Sequence, residues 1–205
     1  MIVPSAKPSL GLVRLFHTQN DWAEWLEKNP QQLEGLWLRI AKKASGMKSV
    51  SYAEALEIAL CFGWIDGQKK PENDKTWLQR FVPRSDKSIW SKINREKAEA
   101  LIKSGRMRPA GLEAVHCAKA NGRWDAAYDS SSRARIPEDL QTALDQHPKA
   151  KAFFAALDSA NRYAILFRIQ TAKKPETRAR KIQEFIAMLK RRETIHPRRS
   201  SRPPK

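Results

Sequence analysis

Residues 51 to 83, SYAEALEIALCFGWIDGQKKPENDKTWLQRFVP, leave few folds open to this chain. Ser51 and Glu54 have capping-box spacing, and Tyr52, Ala55, Leu56, Ala59 and Leu60 recur on one helical face. Gly63 stands where a helix takes its C-terminal glycine. WIDGQKK and TWLQRFV then read as two strands around the turn PEND. Helix, glycine stop and antiparallel pair follow one another without a linker, so an α+β unit is expected.

The flanking segments extend that reading. Thr18 and Asp21 resemble a second capping signal, with Trp22, Trp25 and Leu26 on one helical face and Pro30 as the stop. GLWLRIAKK alternates, placing Leu36, Leu38 and Ile40 on one side and Trp37 and Arg39 on the other, the period of a strand. A helix opened by Ser91 and closed by Gly105 has Leu101 and Ile102 on its inner face, and another runs from Pro109 to Asn121. Beyond DSSSRARIP only helical periods occur, ending with Ile182, Phe185, Ile186 and Leu189 at i, i+3, i+4, i+7.

The expected layout is a flexible lead-in at 1–15, an α+β domain at 16–128, a linker at 129–136, an all-α domain at 137–192 and a disordered basic tail at 193–205. The first domain should hold a small, mainly antiparallel sheet packed by helices.

Charge narrows the partners. The formal net charge is +17, which favours acidic surfaces, anionic small molecules or nonspecific nucleic acid held by the basic tail. Cys61 and Cys117 sit in apolar helical patterns and read as reduced, buried and structural. The start MIVPSAKPSLGLVRLF has no charged n-region or long apolar run, so no signal peptide is read. No window reaches the roughly 18 apolar residues of a membrane span. The expectation is a soluble, cytoplasmic protein.

The order of ALCFGWIDG, RFVPR…KSIWSKIN, GRMRPAGLEAVHCAKANGRWD and AKKPETRARKI resembles the YdeI/OmpD-associated family of bacterial proteins. The likeness runs from about Phe16 to Leu189. It implies an α+β N-terminal part, a small helical C-terminal part, and a role in envelope stress and in resistance to bacteriocins or cationic antimicrobial peptides. Any envelope association follows from the resemblance alone. It implies no catalytic residue.

The first candidate site gathers Trp64, Asp66, Arg80, Arg84, Ser88, Trp90, Ser91 and Asn94 around a strand exit and a helix start. A helix N-terminus suits an anion, Arg84 can fork onto phosphate or carboxylate, and Trp64 and Trp90 can wall a sugar or base. Asp66 has three open readings: turn or bulge residue, orienter of Arg84 or of a ligand, and general acid or base. Helix capping and core packing alone also account for Gly63, Trp64, Ser91 and Asn94. The second candidate is Lys173, Lys174 and Arg178 around Pro175, where pairing of Arg178 with a protein carboxylate competes with anion binding.

His17, His116, His147 and His196 lack metal-ligand spacing, so no metal and no cofactor is expected. There is no nucleophile elbow, Walker loop or dinucleotide glycine fingerprint. The expected function is a non-enzymatic one, binding a small anion or an acidic partner. A nucleic-acid-associated protein is the alternative, with Trp37, Trp77 and Trp90 as base-stacking candidates, and an enzyme using Asp66 comes third.

Overall fold

The computed structural model describes residues 11–197. The chain divides into two compact units, residues 11–89 with 94–125 and residues 90–93 with 126–197. The rest of the expected lead-in, 1–10, and of the expected basic tail, 198–205, lies outside the described residues.

The first unit is built on a four-stranded sheet in the order β1-β2-β4-β3. Its strands are β1 (Val13–Arg14), β2 (Leu36–Ala41), β3 (Trp64–Pro71) and β4 (Thr76–Pro83). β1 pairs with β2 in parallel, while the β2–β4 and β3–β4 pairs are antiparallel. β1 falls in a stretch read as lead-in, because two residues are too few to display a period.

Helix α1 (Gln19–Lys28) and helix α2 (Tyr52–Cys61) each start at a complete capping box, Thr18 with Asp21 and Ser51 with Glu54. The Trp22 indole Nε1 donates to the Ala55 carbonyl at 3.1 Å, so α1 is tied to α2 by a buried bond. Around Trp22 stand Phe16, Trp25, Trp64 and Phe81, with ring centroids 5.2 to 6.0 Å away. This aromatic knot is the core between the two helices and the sheet.

Helices α3 (Lys92–Lys103) and α4 (Pro109–Ala120) follow. On α3 Leu101 is buried as expected, but Ile102 is exposed; neighbouring helical positions turn about 100° apart, and only Leu101 lies on the inner face. Both cysteines are free. Cys61 is buried, and that burial pushes its thiol pKa up, whereas Cys117 is only half-buried and donates to Glu113 at 3.1 Å.

The second unit comprises α5 (Glu138–Asp145), α6 (Pro148–Ala155), α7 (Ser159–Gln170) and α8 (Pro175–Lys190). Leu140, Leu144, Phe154, Ile165, Ile169 and the α8 stripe Ile182, Phe185, Ile186 and Leu189 form one core. Residues 193–197 are held here too: His196 N donates to Asn161 Oδ1 at 2.8 Å, and Asn161 itself is almost fully buried. Asp129, where the linker is expected to begin, is clamped to α7. Its carboxylate takes Lys92 at 2.8 Å and Gln170 at 3.0 Å, and its carbonyl accepts the Tyr163 hydroxyl.

The hydrogen bond from Lys92, aided by Gln170, holds the Asp129 carboxyl below its ordinary range. A carboxyl depressed by folding adds stability above its unfolded pKa and loses it as pH falls toward the folded value. Asp129→Asn should therefore weaken the protein at pH 7 and flatten the acid limb of its stability between about pH 5 and pH 2. Urea unfolding across that range is the check, and an acid limb identical to wild type would refute the assignment.

Candidate functional site

The GWIDG stretch begins with a backbone requirement. Gly63 has φ +73°, and a Cβ there would lie 2.7 Å from the Ala110 carbonyl oxygen of α4. Its own carbonyl accepts the Arg84 amide at 2.8 Å. Trp64 is buried edge-on to Trp22 and Trp25, so its indole belongs to the core.

Asp66 faces the same side of the sheet as its partner Phe81, and its Oδ2 accepts the Tyr52 hydroxyl at 2.8 Å. A β-bulge lies between Asp66 and Lys69. The buried Gln79 amide stabilises it by donating to the carbonyls of Gly67 at 3.0 Å and Gln68 at 3.2 Å.

The bulge redirects every later side chain of β3. Regular alternation would send Lys69 away from the Asp66 face. With one residue inserted, Lys69 pairs with Gln79 on that face and its ammonium lies 4.3 Å over the Trp77 ring. Lys70 turns to the opposite face, 4.7 Å over Trp37, which also has the Arg80 guanidinium at 5.7 Å. Tyr52, at the start of α2, lies 6.1 Å from Trp77, so Asp66 orients a phenol beside an indole with a cation against it.

The register brings more cations to this end. Ala41 pairs with Thr76, and the Lys42 amide continues the ladder to the Lys75 carbonyl at 2.8 Å. The turn after β2 therefore lies beside the β3–β4 turn. Both carry the same spacing, KKASGMK at 42–48 and KKPENDK at 69–75. Lys42, Lys43, Lys48, Lys69, Lys70 and Lys75 thus share one end of the sheet, and among the described residues none of them makes an ion pair. Of the acids there, Glu72 is taken by Arg39 at 2.6 Å, whose hydrogen bonds hold its carboxyl below the usual range. Within the two turn segments themselves, Asp74 is the one other acid, against six lysines. Lysines and a proline on the edge strand β3 also discourage edge-to-edge pairing, which accounts for Lys69, Lys70 and Pro71 but not for the lysines of the other turn.

The remaining residues of the first sequence candidate are spread out. Arg80 donates to the Glu34 carbonyl at 2.8 Å, and Arg84 to the Ile89 carbonyl at 3.3 Å. The Ser88 hydroxyl accepts the Ser85 amide at 3.0 Å, closing a loop. Asn94 is buried in the first unit, whereas Trp90, 2% exposed, and Ser91, bridged to Tyr128, belong to the second.

In the second candidate, Lys173 and Lys174 are exposed, while Arg178 forks onto Asp139 at 2.6 and 2.9 Å and caps the Ile169 carbonyl at 2.9 Å. This pair is part of the lining of a groove of about 630 Å³ between α5 and α8, with Ile182 and Ile186 also in its wall. Among the described residues no group of three or more His, Cys, Asp or Glu is arranged to hold a metal ion, and no helix is long and apolar enough to cross a membrane.

Reading the sequence missed Tyr52 and the convergence of the lysines. The repeated KK-x₄-K spacing in two turns was the available signal.

Residues 133–192 match the model of the family described as Bacteriocin-protection, YdeI or OmpD-Associated, so the resemblance is borne out over that segment. Residues 14–114 match a different model, a domain of unknown function (DUF8412), which takes in the GWIDG and RFVPR…KSIWSKIN motifs. No curated protein and no solved structure matches the chain.

Proposed function

From a chain whose residues 133–192 carry a domain of the YdeI/OmpD-associated type, we propose a non-enzymatic protein of bacteriocin or cationic-peptide tolerance and envelope stress. It acts by holding an anionic partner at the lysine-ringed end of its sheet. The observation that carries this reading is the convergence of two KK-x₄-K turns whose own acids are Glu72, already paired with Arg39, and Asp74. Like charges gathered without counter-charges repel one another, and a bound anion relieves that repulsion. Asp66 serves the site by orienting Tyr52, while Trp64, Arg80, Arg84 and Ser88 hold the strands and loop that present it.

The test is binding of inorganic polyphosphate at about 0.1 M salt. Lys69→Glu, Lys70→Glu and Lys75→Glu combined should weaken binding about 100-fold or more, since affinity for a polyanion scales with the charges it meets. Removing residues 198–205 should change it only a few-fold. Equal binding by the triple variant, or loss on removing 198–205 alone, would transfer the activity to the basic tail. Expression of the wild-type chain, but not of the triple variant, should raise survival of a bacterial host challenged with a cationic bacteriocin.

A further inference from the structure

We infer that the anion taken at this sheet end is a single-stranded nucleic acid, its bases stacking on Tyr52 and Trp77 and its phosphates lying on Lys69 beside them and on the other lysines of the two turns. The inference rests on the anion-binding reading above and names its partner.

Charge alone would accept any polyanion; the aromatic pair selects among them. Tyr52 is 37% exposed and Trp77 half-buried, whereas Trp37 and Trp90 are each only 2% exposed and cannot offer a ring face. Of the three tryptophans with a stacking role open to them, one remains, and it has gained a tyrosine neighbour 6.1 Å away. The Tyr52 hydroxyl is fixed by Asp66, and Trp77 stands on a strand paired on both sides, so the pair is rigid before any ligand arrives. An ordered platform loses little entropy on binding.

A base offers a flat π-face to such a platform only when it is unstacked, which favours a single strand over a duplex. An acidic protein surface carries carboxylates but no regular succession of aromatic ring faces, and polyphosphate has no ring at all. The cations are lysines rather than arginines. They act as point charges on the sugar-phosphate backbone and lack the planar fork that reads a base edge. Binding is therefore expected to be steep in salt and indifferent to sequence.

The experiment uses the full chain and fluorescence anisotropy with a labelled oligo(dT) strand, against a duplex of the same length and against polyphosphate. Trp77→Leu should weaken oligo(dT) binding about 10- to 100-fold while polyphosphate binding stays within about two-fold. Tyr52→Leu, at an exposed position, should act in the same direction and serves if the Trp77 variant does not fold. The slope of log affinity against log salt should be unchanged by the aromatic variants and shallower in Lys69→Glu, Lys70→Glu, Lys75→Glu. Tighter binding of the duplex would overturn the single-strand assignment. Equal affinity for oligo(dT) and polyphosphate, with no effect of either aromatic variant, would refute the nucleic-acid inference and leave the anion reading standing. If neither polyanion binds, both fall.

Discussion

Truncating Trp22 to alanine is expected to cost the first unit about 3 to 5 kcal/mol, the range for removing a fully buried large aromatic side chain. No part of Trp22 reaches solvent. Its ring is packed by Phe16, Trp25, Trp64 and Phe81, which come from a loop, a helix and two strands, so no single element can collapse into the space. The indole also donates to the Ala55 carbonyl, and that bond is lost with the side chain. Trp22→Phe keeps a ring and should cost less, about 1 to 3 kcal/mol. Urea unfolding of the three proteins is the measurement. A Trp22→Ala protein within about 1 kcal/mol of wild type would mean that the knot is not the centre of this core.

Gly63→Ala is expected to cost about 2 to 4 kcal/mol, from two separate causes. At φ +73° a side chain is strained by its own backbone. The added Cβ would also lie 2.7 Å from the Ala110 carbonyl oxygen, a backbone atom that moves only if α4 moves. The approach is reciprocal: a Cβ at Gly111 would lie 2.3 Å from the Cys61 carbonyl oxygen, and the Arg108 amide bonds that same carbonyl at 3.1 Å. Helices α2 and α4 meet backbone to backbone here. Gly105→Ala isolates the first cause, because its φ is +70° and nothing lies within 4 Å of its Cβ position. It should cost only about 1 to 2 kcal/mol. Equal losses at the two positions would show that close approach of α2 and α4 contributes nothing.

That comparison bears on how much of the GWIDG stretch can be read from sequence. The left-handed glycine was legible, because a helix ending before a strand needs one. The second demand on Gly63 was not, since Ala110 is far along the chain. Asp66 was legible as a turn, bulge or orienting residue, and the structure has it beside a bulge with Tyr52 as its partner. Arg84, the protein partner the sequence offers Asp66, instead meets the Ile89 carbonyl. Trp37 was placed correctly on the side of β2 opposite Leu36, Leu38 and Ile40, yet it is buried there, under side chains that include Lys70 and Arg80. Periodicity names a face and does not say what will cover it.

The sequence by itself determined what is decided within a few residues along the chain. The two capping boxes, the glycine stop, the alternation of β2, the turn between β3 and β4, and the helical stripe of α8 all follow from local sterics and hydrogen bonding, so the α+β class and the helical second half were readable. Tertiary structure alone decided the site. The register that pairs Ala41 with Thr76 sets two lysine turns side by side, and one inserted residue in β3 turns Lys69 toward Trp77 and Lys70 toward Trp37. Both depend on which strands meet and in what alignment. That choice is made by burying the aromatic knot, a long-range energy that no local pattern carries.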